Sequence, residues 1–362
     1  RLMQLIGAIK LVFSSIYSDN SRIYFEAVNY KIEQEKMAVV IQAVVGNRYG
    51  DIFYPHISGT AQSFNFYPVA NMTPHDGFAV AAVGLGQYVL DGERAFRFSP
   101  AYPALDIVSI RDITRFSQTE FYAVNLARSE VDLLKGESAG LVKLNISRAE
   151  DDGTLLHCAS VYSRDNDTLT PGLGMPGPRV VNFANILKYD YVPLANTLKT
   201  VLEVVREAFG APVEIEYAVD LKKDEAGKAS FYLLQIKPLV GSGAGYSIDP
   251  ESVYTDDMLL VSRKSMGNGL VDSITDLVYV EPDRFDNLKT NEMAAEIDAI
   301  NRKMLDLGRK YVLIGPGRWG TKDRFLGIPV EWPQISNAKI IVEVSMPNYH
   351  IDASQGSHFF HN

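Results

Sequence analysis

The sequence has almost no cysteine: Cys158 is the single thiol in 362 residues. One thiol closes no internal bridge, which excludes a disulfide-stapled scaffold and points to a reducing, cytoplasmic setting. No run of about 18 uninterrupted apolar residues exists, so no membrane-spanning helix is expected. Basic charge is in deficit, with Lys plus Arg at 35 against Asp plus Glu at 44 and a formal charge of −9. A nucleic-acid binder carries a basic domain or stripe, and none is present. The short basic pairs Lys222-Lys223 and Arg309-Lys310 read as solvated faces. His56, His75 and His157 stand far apart, and no cluster of His, Cys, Asp and Glu has zinc spacing. A Walker loop and a Gly-x-Ser-x-Gly elbow are also missing.

What remains is an ordinary globular composition, 46% apolar and 22% charged, which excludes a disordered chain. The length predicts two domains, perhaps three. Position 1 is Arg, so the expectation is a chain that begins inside a longer protein, with further domains upstream and downstream. Leu2, Leu5, Ile6, Ile9, Phe13 and Ile16 recur as on a buried helix face. Met37 to Val45 is a β-branched run that reads as a buried strand. Two strands are expected between Ile52 and Tyr67, broken at Ser58-Gly59, and a short helix near Gly84-Leu85-Gly86. Residues 140–162 read as two strands around Asp151-Asp152-Gly153, and residues 165–178 as loop. Leu194, Leu198, Val201, Leu202, Val205 and Phe209 mark an amphipathic helix stopped by Gly210 and Pro212. Val213–Asp220 and Ser230–Ile236 form a predicted hairpin. Gly241-Ser-Gly-Ala-Gly245 reads as a linker. After it, strands are expected near Asp276–Val280, Tyr311–Ile314 and Lys339–Val344, with a helix at Asn291–Leu307. The mixture, rich in hairpin-like pairs, is α+β.

The chemistry concentrates in the predicted hairpin. In a strand, residues two apart share a face, so Glu214 and Glu216 point one way and Ile215 and Tyr217 the other. A hairpin partner brings Gln235 and Lys237 to the carboxylate face. Two neighbouring carboxylates repel unless a cation neutralises them. Magnesium takes one or two carboxylates together with substrate phosphate oxygens. A solvent-facing strand pair with plain cross-strand charges produces the same pattern.

Val213-Glu-Ile-Glu-Tyr-Ala-Val219 followed by Phe231-Tyr-Leu-Leu-Gln-Ile-Lys-Pro238 resembles the end of the ATP-grasp domain of phosphoenolpyruvate synthase and pyruvate phosphate dikinase. Met37-Ala-Val-Val-Ile-Gln42-Ala-Val-Val-Gly-Asn-Arg-Tyr-Gly50 is similar to that family's Val-Gln-x-Met-Val strand. Gly84-Leu-Gly-Gln87-Tyr-Val-Leu-Asp-Gly92 is similar to its Gly-Leu-Gly-Glu segment. The resemblance implies an ATP-grasp portion over residues 1–240, with ATP and magnesium ions as cofactors. By position, it implies that Glu214 and Glu216 hold metal and nucleotide phosphates, that Gln235 and Lys237 position phosphates, and that Gln42 flanks the adenine pocket. The family's glutamate is Gln87 here, and its arginine is Lys237, a point charge in place of a fork. Nothing in residues 1–36 resembles the family's phosphate-binding first lobe. The activity implied is phosphoryl transfer from Mg-ATP through a histidine to pyruvate, with phosphoenolpyruvate as product. The departures support an alternative, a non-catalytic nucleotide-binding regulatory module. A third reading, an unrelated sugar- or peptide-binding α+β protein, requires the ordered matches to be coincidental.

Residues 246–362 read as a second, smaller α/β domain. Ser265 to Val280 resembles the opening of the family's swivelling domain, and Gln355-Gly-Ser-His358 faintly resembles its phosphohistidine segment. Imidazole accepts phosphate when one nitrogen is free and the other held; terminal, aromatic-flanked histidines with a structural role are the plain alternative. Gly315-Pro-Gly-Arg-Trp-Gly320 fits Gly-x-Gly-x-x-Gly, but Pro329 and Pro333 interrupt the helix a dinucleotide site needs. It reads either as a loop presenting Arg318 and Arg324 to an anion or as a packing turn that buries Trp319.

Overall fold

A computed structural model describes residues 2–27, 31–66, 68, 71–105, 109–128, 131–239, 258–262, 265, 271–321, 323 and 325–345. Its strands are β1 (Asn47–Tyr49), β2 (Ile52–Tyr54), β3 (Ile57–Gln62), β4 (Phe78–Val83), β5 (Phe96–Phe98) and β6 (Glu120–Asn125). There follow β7 (Leu141–Asn145), β8 (Ala159–Ser163), β9 (Thr168–Pro171), β10 (Arg179–Val181), β11 (Val213–Asp220) and β12 (Ser230–Pro238). The last are β13 (Asp276–Tyr279), β14 (Tyr311–Pro316), β15 (Arg318–Trp319), β16 (Gly327–Ile328) and β17 (Ala338–Val344).

The first large core is organised by an antiparallel sheet in the order β12-β11-β3-β4-β5. Alternation decides its faces. Val213, Ile215, Tyr217 and Val219 of β11, Ile57 and Ala61 of β3, and Ala79, Ala81 and Val83 of β4 all join one buried cluster. The residues between them project to the opposite face. The helix Leu194–Phe209 packs on the core side through Leu198, Leu202 and Val205, and ends at left-handed Gly210. A second sheet, β1-β2-β6-β7, contributes Tyr54, Phe121 and Ala123 to the same cluster.

A second cluster surrounds a parallel sheet, β13-β14-β17. The helix Thr290–Asp306 connects β13 to β14 and buries Ala294, Ile297 and Met304 against them. That is a βαβ unit. Helix and sheet together give the mixed α+β content expected.

Several expectations fail. Residues 37–45 form no strand: Val40 and Ile41 are 78% and 67% exposed. β-branching favours a pleated backbone, but a buried strand needs partners on both edges, and no ladder pairs this run. The helix Leu2–Ser15 forms, yet none of its residues is buried; Ile16, just beyond its end, is. Ser58-Gly59 is mid-strand, and the break falls at Pro55-His56. Gly59 is required there because a Cβ would strike the Val80 carbonyl and the Tyr217 ring. The two strands expected in residues 140–162 form as β7 and β8, but residues 146–151 between them are helical, capped by the Asn145 side chain, which accepts the Ser147 N–H. The expected loop at 165–178 contains β9. The linker at Gly241–Gly245 lies outside the described residues. No helix among the described residues is long and apolar enough to cross a membrane.

Candidate functional site

The β11–β12 hairpin forms with Glu214 opposite Lys237 and Glu216 opposite Gln235. Because Val213, Ile215 and Tyr217 enter the core, both carboxylates face the other side of the sheet. Lys237 reaches diagonally to Glu216, Nζ to Oε1 at 3.2 Å. On the other flank, β3 sets Gln62 opposite Glu214 and Thr60 opposite Glu216. The Gln62 amide donates to Glu214 Oε2. Glu214 is 2% exposed and Gln62 likewise, so this charge is held away from water by a fixed amide. Two polar rows therefore cross the sheet: Gln62–Glu214–Lys237 and Thr60–Glu216–Gln235.

The rows continue into β4 and β5. Phe78 lies opposite Gln62, Val80 opposite Thr60, and Arg97 opposite Val80. The Arg97 guanidinium lies 4.6 Å from the Phe78 ring centroid and donates to Asn65 Oδ1 at 3.1 Å. Gln62, Thr60 and Arg97 join the site only through strand register. Their signal was present: Ser58, Thr60 and Gln62 are polar at every second position of β3, and Arg97 sits between two phenylalanines.

A bulge in β12 separates the pairs Glu216–Gln235 and Tyr217–Leu233, leaving Leu234 as the extra residue. Gln42 donates to the Leu234 carbonyl at 3.3 Å. So the exposed segment carrying Gln42 runs along the hairpin edge beside the polar rows. Gln87 opens a short helix after the Gly84 turn. Ser58, one row beyond Thr60 on the polar face, donates to the Gly84 carbonyl at 2.7 Å and ties that turn over the sheet. Gln87 donates to Asp91 at 2.7 Å, and Tyr122 donates to the other Asp91 oxygen at 3.0 Å. Burial, with Asp91 beside it, pushes the Tyr122 phenol up to about 12. Burial also raises the Glu93 carboxyl, against the pull of Lys143 at 2.6 Å. Among the predicted residues, Glu214, Glu216, Gln235 and Lys237 meet on one face. Gln42 touches the hairpin at the Leu234 bulge, and the Gln87 side chain is committed to Asp91. His358 lies outside the described residues, as does Arg324.

No group of three or more His, Cys, Asp or Glu among the described residues makes a closed metal cage. Two carboxylates beside an amide are a donor set for a cation that arrives with further oxygen ligands of its own.

An antiparallel sheet with its core on one face and acids, amides and cations in rows on the other defines an α+β domain with a polar sheet face. The family model described as pyruvate phosphate dikinase, AMP/ATP-binding domain, matches residues 2–244. The chain belongs to that family, and its matched domain binds AMP or ATP. No curated protein matches the chain.

Proposed function

We propose that the polar face of the β11–β12 hairpin receives the phosphates of Mg-ATP and that the chain takes part in phosphoryl transfer of the phosphoenolpyruvate synthase type. The observation that carries this reading is the cross-strand grouping of Glu214, Glu216, Gln235 and Lys237, with Gln62 fixing Glu214. Phosphoryl transfer asks a protein chiefly for charge neutralisation and in-line positioning. Glu214 and Glu216 supply the carboxylates for magnesium; Gln235 and Lys237 supply donors for phosphate oxygens. When bound, magnesium would supply charge neutralisation at the phosphates, held by Glu214 and Glu216. Lys237 pairs with Glu216 at 3.2 Å, and nucleotide binding would release both side chains from this ion pair. Gln42 flanks the base. In this reading residues 1–240 are the nucleotide-binding portion, residues 246–362 form a second domain, and His358 accepts the phosphoryl group before pyruvate does.

A second reading, a non-catalytic nucleotide-binding regulatory module, is favoured by one observation. The Gln87 amide replaces a carboxylate and is committed to Asp91. Calorimetric titration of Mg-ATP into the chain tests the shared claim. Saturable binding that weakens about tenfold or more in Glu216→Gln is expected. Absence of binding, or binding indifferent to that substitution, overturns the assignment. Phosphorylation of a histidine on incubation with ATP then separates the enzyme from the module.

A further inference from the structure

A second chemical cluster lies at the opposite end of β11, four residues and about 13 Å along the strand from Glu216. A cavity of about 510 Å³ opens there, lined among others by Arg48, Tyr49, His56, Thr154, His157 and Lys222. His56 and His157 are distant in sequence but share this cavity.

His56 is held firmly. Its Nδ1 lies 3.0 Å from Asp220 Oδ1 and 3.3 Å from the Leu221 backbone nitrogen. Asp220 is itself fixed by the Asn47 amide and the Lys222 N–H, each at 2.9 Å. The His56 side chain is only 13% exposed, yet Nε2 has no described protein partner and is not among the sealed polar atoms. Its remaining access is through the cavity it lines. His157 stacks on Tyr191, ring centroids 3.6 Å apart, which fixes its ring as well.

The charge balance chooses the ligand. The two acids at the site are already engaged. Asp152 accepts from Arg148 at 3.0 Å and from the Tyr54 hydroxyl at 2.8 Å, while Asp220 is committed as above. Arg48 donates only to the Gly50 carbonyl, at 2.8 Å, and neither Arg48 nor Lys222 forms an ion pair among the described residues. A cavity with two cations outside any described ion pair, and a held imidazole presenting its second nitrogen, suits an anion with several acceptor oxygens.

We propose that this cavity is a second anion site, separate from the nucleotide-phosphate face, and that it takes a small phosphate-bearing ligand on His56, Arg48 and Lys222. The Tyr49 and His157 rings line the space left for the body of a phosphate ester.

The test is a titration of inorganic phosphate into the chain, followed by the histidine ring proton resonances, with a simple phosphate monoester as a second arm. Saturable shifts of the His56 and His157 signals are expected. Arg48 and Lys222 are exposed, so Arg48→Ala and Lys222→Ala keep the fold, and each weakens binding by about tenfold. Glu216→Gln leaves these shifts unchanged, which distinguishes this site from the nucleotide face. Tighter binding of the ester identifies an ester ligand; tighter binding of phosphate identifies the free anion. No saturable shift at either histidine, shifts indifferent to both cation deletions, or shifts abolished by Glu216→Gln would overturn the proposal.

Discussion

The polar face of β11–β12 and the loop after β14 both sit where a sheet presents backbone and charge for use, and they are built to different ends. In the first, residues alternate along β11, so its core side is sealed while Glu214, Glu216, Gln235 and Lys237 are left on the other face. In the second, the strands are parallel, and the crevice beyond their carboxyl ends is where such sheets usually bind ligands. There Trp319 fills the space. It is 2% exposed, its indole N–H donates to the Val342 carbonyl at 3.1 Å, and any Cβ on Gly315 would strike its ring. The same loop reaches the first cluster instead of a ligand. Arg318 and Thr321 approach the Gly92 carbonyl at 3.5 and 3.4 Å, and Arg94 pairs with Asp323 at 2.9 Å. Glycine therefore serves two purposes: Gly59 lets β3, β4 and Tyr217 close up beneath the polar face, and Gly315 lets a tryptophan fill the space beyond the parallel strands.

The sharpest way to break this contrast is to add one methyl on each side. Gly59→Ala drives a Cβ into the Val80 backbone and the Tyr217 ring; a loss of about 3 kcal/mol is expected in urea unfolding, together with nucleotide binding. Gly315→Ala meets a side chain and not backbone, so a smaller loss of about 1–3 kcal/mol is expected. Tryptophan fluorescence should report Trp319 leaving its slot while nucleotide affinity holds. If Gly315→Ala abolished nucleotide binding outright, the two regions would not be separable as described.

A smaller effect measures how strongly the regions are joined. A double-mutant cycle on Arg94→Ala and Asp323→Ala should return about 0.5–1 kcal/mol, as expected of a partly exposed ion pair. A coupling near zero would show that this ion pair does not join the two regions.

The smallest effect is acid sensitivity confined to the first region. Burial lowers the proton affinity of His56, despite Asp220, and of His157. The unfolded chain then takes up these protons first, near the ordinary value of 6.5. Stability is fully present above that pH and is lost as pH falls below it. The region around β13, β14 and β17 holds no histidine among its described residues, so its Trp319 signal should not follow. A His56→Gln variant whose unfolding midpoint kept the full acid drift would assign the effect elsewhere.

How much of this was legible depended on the range of the signal. The hairpin, its facing carboxylates and the Leu194–Phe209 helix rest on period-two and period-3.6 patterns within one segment, and those were readable. The buried packing role of Trp319 was readable too. The strand break lies at Pro55-His56 and not at Ser58-Gly59, because Gly59 meets a steric demand from Tyr217, far away in sequence, that a local turn pattern does not reveal. The run from Met37 to Val45 has strand propensity without a strand to pair with. Gln62 and Arg97 became site neighbours only once register set them beside Glu214 and Phe78. The His56–His157 cavity needed Asp220, Lys222 and residues from three other segments to converge, and no local pattern encodes that.

The most direct test of the central claim is hydrogen–deuterium exchange of the chain with and without Mg-ATP. Nucleotide should protect peptides spanning β11 and β12, with the Gly84–Gly92 turn following, and leave β14 and the Gly315–Gly320 loop unchanged. Protection confined to the Gly315–Gly320 loop, with β11 and β12 exchanging as before, would contradict the account.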